Sequence, residues 1–559
     1  MEKPPESKRT PKGVDLRLVT VTCMAWFGAL VGLQLGPIED RYLRVGVPVV
    51  VGMVTVVVAV ISRSALGRGA ALLVWVSIVG IWTSGIVAWT AAASFVHDPI
   101  QTAAVERNYA RVLVTVIGPP KPANSPWSTD LLEVELQTKA LCPSEIRDGP
   151  AECDVPSSVT LRGEVAAETS GMDDLIPGSR LEARGIVSKE DWLAPPVAAK
   201  LEIIGYSVEK SAPKWQSWAA SLRKSMRETT ASAGAVGPLI SGMAIGDDAL
   251  LSKDLKDSML TSSLTHLTAV SGSHIAISLA LITRVFRGRR GLQALSIGVF
   301  LVLVVIVVGP EPSVVRAVSM SSLAVWGMIR RRPSQPLRLL ATVVLVSVII
   351  EPWLAVSVGF ALSVAATAGI IVIARPLERL MARVLPEEGF LRQPAKPAIV
   401  AVAVAVSAQV VTLPILALFN DWLPTWGVVA NLLVAPVVPV MTILGLGAAV
   451  FLWLPPLSDF LIVLARPAAE WMAWVSTTAA SWPLARFPWI QGWPGAVLAV
   501  LATFTAVGVF RLAGVLVISV RNAIRRSRAK VLLAASMTTE ISEIESLRRV
   551  NEKEATSFD

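Results

Sequence analysis

The sequence predicts a polytopic α-helical membrane protein that carries a small β-rich insert outside the membrane. Composition predicts the first part: 53% of the 559 residues are hydrophobic and only 17% are charged, against about 25% charged in a soluble chain. Mean hydropathy is +0.60, and several apolar stretches exceed the ~20 residues that cross a hydrocarbon core. The insert follows from residues 99–210, where long apolar runs give way to short alternating ones.

Residues 18–36, 44–62 and 70–96 read as three membrane helices. No small-residue cleavage site stands out after the first, so it is expected to remain as an anchor. Lys8, Arg9, Lys12 and Arg17 precede it, and Arg63 and Arg68 lie between the second and third helices. The positive-inside rule makes both of those segments cytoplasmic. The third helix then leaves the membrane near His97 and Asp98, and residues 99–210 face the outside. The net charge of +9 has the same origin. Basic residues gather in short loops (Arg284, Arg287, Arg289 and Arg290; Arg330, Arg331 and Arg332; Arg521, Arg525, Arg526, Arg528 and Lys530) and set topology rather than forming a nucleic-acid stripe.

The outer segment holds "YARVLVTVIG" at 109–118, "DLLEVELQTKAL" at 130–141, "SSVTLRGEVAAE" at 157–168, "SRLEARGIVS" at 179–188 and "AAKLEIIGYSV" at 198–208. Pro, Gly, Asn and Ser separate these runs, as strand ends require. Five short strands fit a small barrel of OB type. Residues 105–206 carry ten Lys and Arg against sixteen Asp and Glu, a net of −6. A groove for single-stranded nucleic acid is basic and aromatic-lined, so docking or scaffolding suits this module at least as well as DNA binding. Cys142 and Cys153 flank a polar stretch within it and are expected to pair if the compartment is oxidising. Cys23 lies in the first apolar segment.

Residues 211–234 contain a basic amphipathic helix, with Trp215, Trp218, Ala219 and Leu222 on one face. Such a helix is suited to lie in the membrane interface. Residues 235–520 return to the bilayer through 264–283, 292–309, 314–329, 337–350, 353–374, 397–419, 426–453 and 495–520, for ten to twelve crossings in all. The stretch 458–480 is amphipathic and reads as a helix along the surface. Residues 521–559 form a polar, cytoplasmic tail.

Four stretches stand out: "GDDALLSKDLKDSMLTSSLTHLTAVSGSHIAISLALI" at 246–282, "GPEPSVVRAVSMSSL" at 309–323, "EPWLAVSVGFALSVAATAGI" at 351–370 and "AQVVTLPILALFNDWLPTWGVVANLLVAPVVPVM" at 408–441. Their order and wording resemble the competence domain of ComEC-type proteins, over about residues 18–520 together with the outer β module. The phrase around His266, Ser271, Gly272 and His274 looks like that family's "HLLAISGLHV", with Ser273 in place of Leu. The resemblance implies an inner-membrane channel that passes single-stranded DNA into the cytoplasm during natural transformation. It also implies a DNA receptor, a cytoplasmic ATPase or helicase, and a nuclease as partners. Many relatives add a metallo-β-lactamase-like domain, which needs an HxHxDH-type cluster. No His follows His274 here, so the nuclease is expected to be a separate protein. No GxxxxGK[ST] phosphate loop occurs, so the energy source is also expected elsewhere.

The candidate pore or gating residues are His266, Ser271, Gly272, Ser273, His274, Arg316 and Asn431. Polar groups at membrane depth are costly unless paired or wetted, and Gly272 allows a helix break. Two readings stand beside each other for the histidines: a structural polar knot, or the lining of a hydrated path. Two His without a third ligand make a poor metal site, so neither metal nor cofactor is expected. Arg316 offers a fork of donors to phosphate, or else pairs with Glu311, Glu351 or Asp248. Gln409, Asn420 and Asn431 are suited to interhelical hydrogen bonds. Asp247 and Asp248 mark a candidate entrance, either capping helices or pairing with Lys253 and Lys256.

Two other functions remain open. A secondary transporter of a small solute would use broken helices, although no inverted repeat is visible. An integral-membrane hydrolase would need Ser271, a histidine and Asp247 or Asp248 to converge. A non-enzymatic channel, in contact with lipid and compatible with a homodimer, is the expectation.

Overall fold

The computed structural model describes residues 17–35, 68–122, 131–142, 155–166, 175–189, 196–268, 270, 272–309, 312–329, 335–384 and 392–506, with isolated residues of 508–544. The expected helix at 44–62, Ser271, Cys153, Glu311 and most of the 521–559 tail lie outside them. The chain divides into two compact units, residues 1–371 with 424–487, and residues 372–423 with 488–559.

The first unit opens with α1 (Arg17–Leu35) and α2 (Arg68–Val96). Small residues let these two helices touch backbone to backbone. A Cβ on Gly28 would lie 2.4 Å from the Ile81 carbonyl oxygen, and one on Gly32 would lie 2.2 Å from that of Gly85. Ser84 Oγ donates across the contact to the Ala25 carbonyl at 2.6 Å.

A short helix, α3 (Pro99–Val105), follows at once. Asp98 caps it by accepting from Ile100 N at 3.1 Å. The same carboxylate accepts from Ser157 Oγ at 2.8 Å and Ser158 N at 3.1 Å. The end of α2 is thereby fastened to the β domain.

That domain is one sheet of β1 (Tyr109–Val116), β2 (Lys121–Pro122), β3 (Leu131–Cys142), β4 (Val155–Pro156), β5 (Thr160–Ala166), β6 (Arg180–Ser188) and β7 (Val197–Lys210). The order is β1-β6-β7-β5-β3-β2, with β4 on β3 and a further β1–β3 pairing. All pairs are antiparallel except β5–β7. Side chains alternate between faces along a strand, so Val112, Val114, Leu136, Leu161, Leu181, Ala183 and Leu201 share one buried core with Ile100 and Ala104 of α3. The register places Val112 opposite Ala183 and Leu136 opposite Leu161. Gly185 sits at a register shift, where a Cβ would lie 1.9 Å from the Glu202 carbonyl oxygen. The five expected strands are present as β1, β3, β5, β6 and β7, but the expected OB-type barrel is not: they lie with β2 and β4 in a seven-stranded sheet that is not a closed barrel, and the stretches 123–130, 143–154, 167–174 and 190–195 lie outside the described residues.

β7 leads into α4 (Lys214–Ala231), the expected amphipathic helix. The face packed on the protein is distinct from the tryptophan face expected to meet the membrane interface. Ala219, Arg223, Met226 and Thr230 are buried, whereas Trp215 and Trp218 are 50% and 47% exposed. The helix rotates Arg223 inward because its Nε reaches the Val307 carbonyl at 3.0 Å. Desolvation pushes the Arg223 guanidinium below its usual pKa, against the pull of Asp247.

The helices that follow in this unit are α5 (Gly237–Ile245), α6 (Lys253–Thr261), α7 (Gly272–Val285), α8 (Arg290–Val308), α9 (Pro312–Ile329), α10 (Pro336–Ile350) and α11 (Val358–Gly369). A π-helical turn, Ile370–Ala374, leads to α12 (Arg375–Val384) and α13 (Arg392–Phe419) of the second unit. The first unit resumes with α14 (Gly427–Val434), α15 (Val438–Val450) and α16 (Pro455–Ser481). The amphipathic stretch expected along the surface belongs to α16, whose inner face buries Ile462, Ala465, Ala469, Met472 and Val475. These pack on Leu239, Met243, Met259 and Met441 in one core. The small residues on that face, among them Ala465 and Ala469, bring the helix close to its neighbours.

In the second unit, Ala417 and Leu423 bury against Ala499 of α17 (Trp493–Ala506). Trp489 N donates to the Asp421 carbonyl at 2.7 Å.

Among the described residues six helices are long and apolar enough to cross a membrane: Arg17–Leu35, Leu73–Val96, Thr265–Val285, Arg290–Val308, Val358–Ala382 and Lys396–Phe419. The pair α14–α15, bent by 56°, makes a seventh if it is one span. The protein is a multi-pass membrane protein.

Candidate functional site

The site lies where the chain breaks between α6 and α7. Ser263 follows α6 and takes a φ of 59°, a left-handed conformation that costs a non-glycine residue about 1 kcal/mol. Thr265–Leu267 is a single 3-10 turn, and α7 begins at Gly272.

His266 sits on that turn, accessible yet crowded by protein atoms, with its ring hydrogen-bonded to the Ser263 backbone. Asn431, on α14, donates from Nδ2 to the Ser263 carbonyl at 3.4 Å and to the Gly427 carbonyl at 2.8 Å. Two of the candidate residues thus meet at the backbone of one strained serine, beside the bent pair α14–α15. Sequence reading missed Ser263, because nothing in the letter Ser announces a positive φ. Ser262 Oγ lies 3.4 Å from Ser476 Oγ of α16, which holds the break from its other side.

His274 is 1% exposed, on the first turn of α7. Ser273 is exposed, and Ser271 lies outside the described residues. Arg316 is 7% exposed on α9. Its Nε donates to Ser363 Oγ at 2.8 Å, and one terminal nitrogen donates to Thr367 Oγ1 at 2.8 Å. The expected alternative of an ion pair with Glu351 or Asp248 is not what forms: Glu351 is exposed, and Asp248 accepts from Thr268 Oγ1 at 3.3 Å. The other Arg316 terminal nitrogen faces the start of α7, 3.5 Å from where a Cβ on Gly272 would lie. Gly272 and Arg316 therefore form a second cluster. Ser363 and Thr367 were legible partners in hindsight, since hydroxyls four apart share one helix face.

One of the two candidate entrance carboxylates is neutralised. Asp247, nearly buried, accepts from Arg227 Nε at 2.6 Å and from its terminal nitrogen at 2.9 Å. This arginine reaches Asp247 because α4 lies against the end of α5. Asp257 accepts from Arg486 at 2.6 Å. Ser252, rather than an aspartate, caps α6. Among the described residues, no group of three or more His, Cys, Asp or Glu side chains could hold a metal ion.

The family model described as "Competence protein" matches residues 243–514. Over those residues the chain is similar to the competence protein family. The match begins within α5 and takes in both clusters, and it is consistent with a ComEC-type competence protein. No curated protein and no solved structure matches the chain. The competence domain points to a role in DNA uptake. Within it, the left-handed Ser263 and the bent α14–α15 pair supply the irregular backbone that membrane proteins keep for buried or water-lined places.

Proposed function

We propose that this chain is the channel that passes single-stranded DNA across the cytoplasmic membrane during natural transformation. The observation that carries the reading is the competence-family match over helices that break where His266, Ser263 and Asn431 meet. His266, Ser271, Gly272, Ser273, His274, Arg316 and Asn431 line or gate the path. Its chemistry is non-covalent, and a passing polyanion is served by a route whose acids are matched. Asp247 beside Arg227 meets that need at the entrance. An ATPase or helicase, a receptor and a separate nuclease supply drive, capture and strand removal. The N-terminus is cytoplasmic and the β domain is outside, and two copies pairing as a homodimer are compatible with this path.

The β domain belongs to the same proposal as an OB-type module. The mostly antiparallel strand order with one parallel pair is compatible with it. A disulfide between Cys142, buried at the end of β3, and Cys153 is part of the same proposal. Peptide mapping without reductant should recover a linked pair; two alkylatable thiols would remove the disulfide from the scheme.

The test of the channel is uptake of labelled DNA as nuclease-protected single strands. A deletion strain would be complemented by wild type or by His266→Ala/His274→Ala at matched membrane abundance. Loss on deletion without rescue by the double variant is expected. Full rescue would make the histidines structural. Unchanged uptake on deletion, in a strain without a second copy, would leave the small-solute transporter as the better reading.

A further inference from the structure

We infer that the hairpin between α7 and α8 is a docking site for anionic phospholipid headgroups, held by Arg284, Arg287, Arg289 and Arg290. This reading stands apart from the DNA path and does not depend on it. Both helices belong to stretches long and apolar enough to cross a membrane, Thr265–Val285 and Arg290–Val308. The turn that joins them therefore lies where hydrocarbon gives way to headgroups. Val285 and Leu295 flank it, 65% and 62% exposed, and lipid tails are as apolar as such side chains. All four arginines are exposed. Among the described residues none of the four forms an ion pair. Their charges repel one another across residues 284–290, and an arginine at the end of a span carries its guanidinium to headgroup level.

The hairpin is a fixed platform. Phe286 N donates to the Ile282 carbonyl at 3.0 Å, and Arg289 N to the Phe286 carbonyl at 3.1 Å. Gln293 Nε2 reaches back from α8 to the Thr283 carbonyl at 3.0 Å, one of the acceptors that a helix end leaves without an intrahelical partner. Gly288 takes a φ of 86°, a left-handed turn that glycine adopts freely, so two arginines precede the reversal and two follow it. A Cβ on Gly288 or Gly291 would meet nothing within 4 Å, which leaves the backbone between the arginines bare to an approaching headgroup. Each guanidinium presents a fork of donors that matches phosphate oxygens. Basic residues at the membrane edge attract anionic lipid by about fivefold per charge. Topology needs only positive charge, from Lys or Arg alike, whereas a phosphate site needs the fork. Because α7 runs from Gly272 to this hairpin, the headgroups hold one end of the helix whose other end carries His274.

The experiment uses the purified full-length protein in maltoside micelles at constant ionic strength. Thermal unfolding is followed with rising short-chain phosphatidylglycerol, phosphatidylcholine of the same chain length, inorganic phosphate, or a twelve-residue oligothymidylate. Phosphatidylglycerol should stabilise wild type in a saturable way, and phosphatidylcholine should not. Arg289→Gln/Arg290→Gln should raise the half-saturating concentration about twentyfold, two charges at about fivefold each. Lys139→Gln/Lys189→Gln removes the same charge from exposed positions of the β domain and should leave binding unchanged. Arg284→Lys/Arg287→Lys/Arg289→Lys/Arg290→Lys keeps the charge that sets topology, so insertion is preserved, and should still weaken binding several-fold. Equal response in wild type and the glutamine double variant overturns the site, as does an equal fall in the β-domain pair. Full binding by the four-lysine variant reduces the hairpin to a topology signal and overturns the site as well. Equal stabilisation by the two lipids removes its selectivity for anionic headgroups. Stabilisation by inorganic phosphate or oligothymidylate but not by phosphatidylglycerol sinks the lipid reading and gives the hairpin to a free anion or a nucleic-acid strand.

Discussion

Arg227 grips Asp247 through two hydrogen bonds, Nε to Oδ2 at 2.6 Å and a terminal nitrogen to Oδ1 at 2.9 Å. The arginine comes from α4, which follows the β domain, and the aspartate from the turn after α5 in the competence domain. Their side chains are 22% and 5% exposed, so the pair sits at the edge of the protein interior. Removing one partner strands the other. We expect Arg227→Ala to cost about 3 kcal/mol and Asp247→Ala a similar amount, with the double variant costing clearly less than their sum. A double-mutant cycle on thermal unfolding in detergent measures this; simple additivity would show that the pair is not coupled.

Gly32 carries a second expectation. A Cβ there would lie 2.2 Å from the Gly85 carbonyl oxygen and 3.0 Å from Ala88 Cβ. Gly32→Ala must push α1 off α2, at a cost of about 1–3 kcal/mol. Gly85→Ala, whose nearest atom is at 3.2 Å, should be milder. Unfolding temperatures of the two variants, compared side by side, decide it.

Acid should loosen the β domain. Arg111 on β1 hydrogen-bonds Glu182 on β6, and this bond holds the Glu182 carboxyl below its ordinary pKa of about 4.5. A depressed folded-state pKa gives stability that is complete above the unfolded value and lost as pH falls through the folded one. Between pH 6 and 3, protection factors for hydrogen exchange at β1 and β6, measured against the intrinsic rate at each pH, should therefore fall. Glu182→Gln should flatten part of that dependence; an unchanged profile would assign it to other carboxylates.

Asp98→Ala removes the acceptor shared by Ile100 N, Ser157 Oγ and Ser158 N. Bonds to a charged group contribute about 1.5–3 kcal/mol each, although their loss is not additive. We expect proteolysis to rise in the loop before β5, with Asp98→Asn intermediate. Limited digestion, followed by mapping of the cut sites, reports this directly.

Much of the fold was legible because it follows from periodicity. The alternation in "YARVLVTV" and "LLEVELQTKALC" located β1 and β3, and apolar length located α1, α2, α8 and α13. The amphipathic helix at 214–231 was legible as a helix, but the reach of Arg223 to Val307 that turns its other face onto the protein was not. In the stretch 458–480 the exposed Arg466–Glu470 bridge made the helix legible as amphipathic, while the packing of its alanine-rich face depends on neighbours the sequence does not name. In the site, the residues singled out as costly in a membrane do cluster. His266 and Asn431 share Ser263, and Gly272 faces Arg316. The partners that make them clusters are ordinary serines and threonines, and their placement depends on tertiary packing.

The carboxylate of Asp98 has a mechanical meaning. A membrane helix tilts until its apolar length suits the bilayer around it, and α2 is one such helix. Because its exit is riveted to Ser157 and Ser158, the helix is the mast and the outer domain its sail. A thinner or thicker membrane would swing the β domain over the surface, so lipid composition itself would steer where this module points.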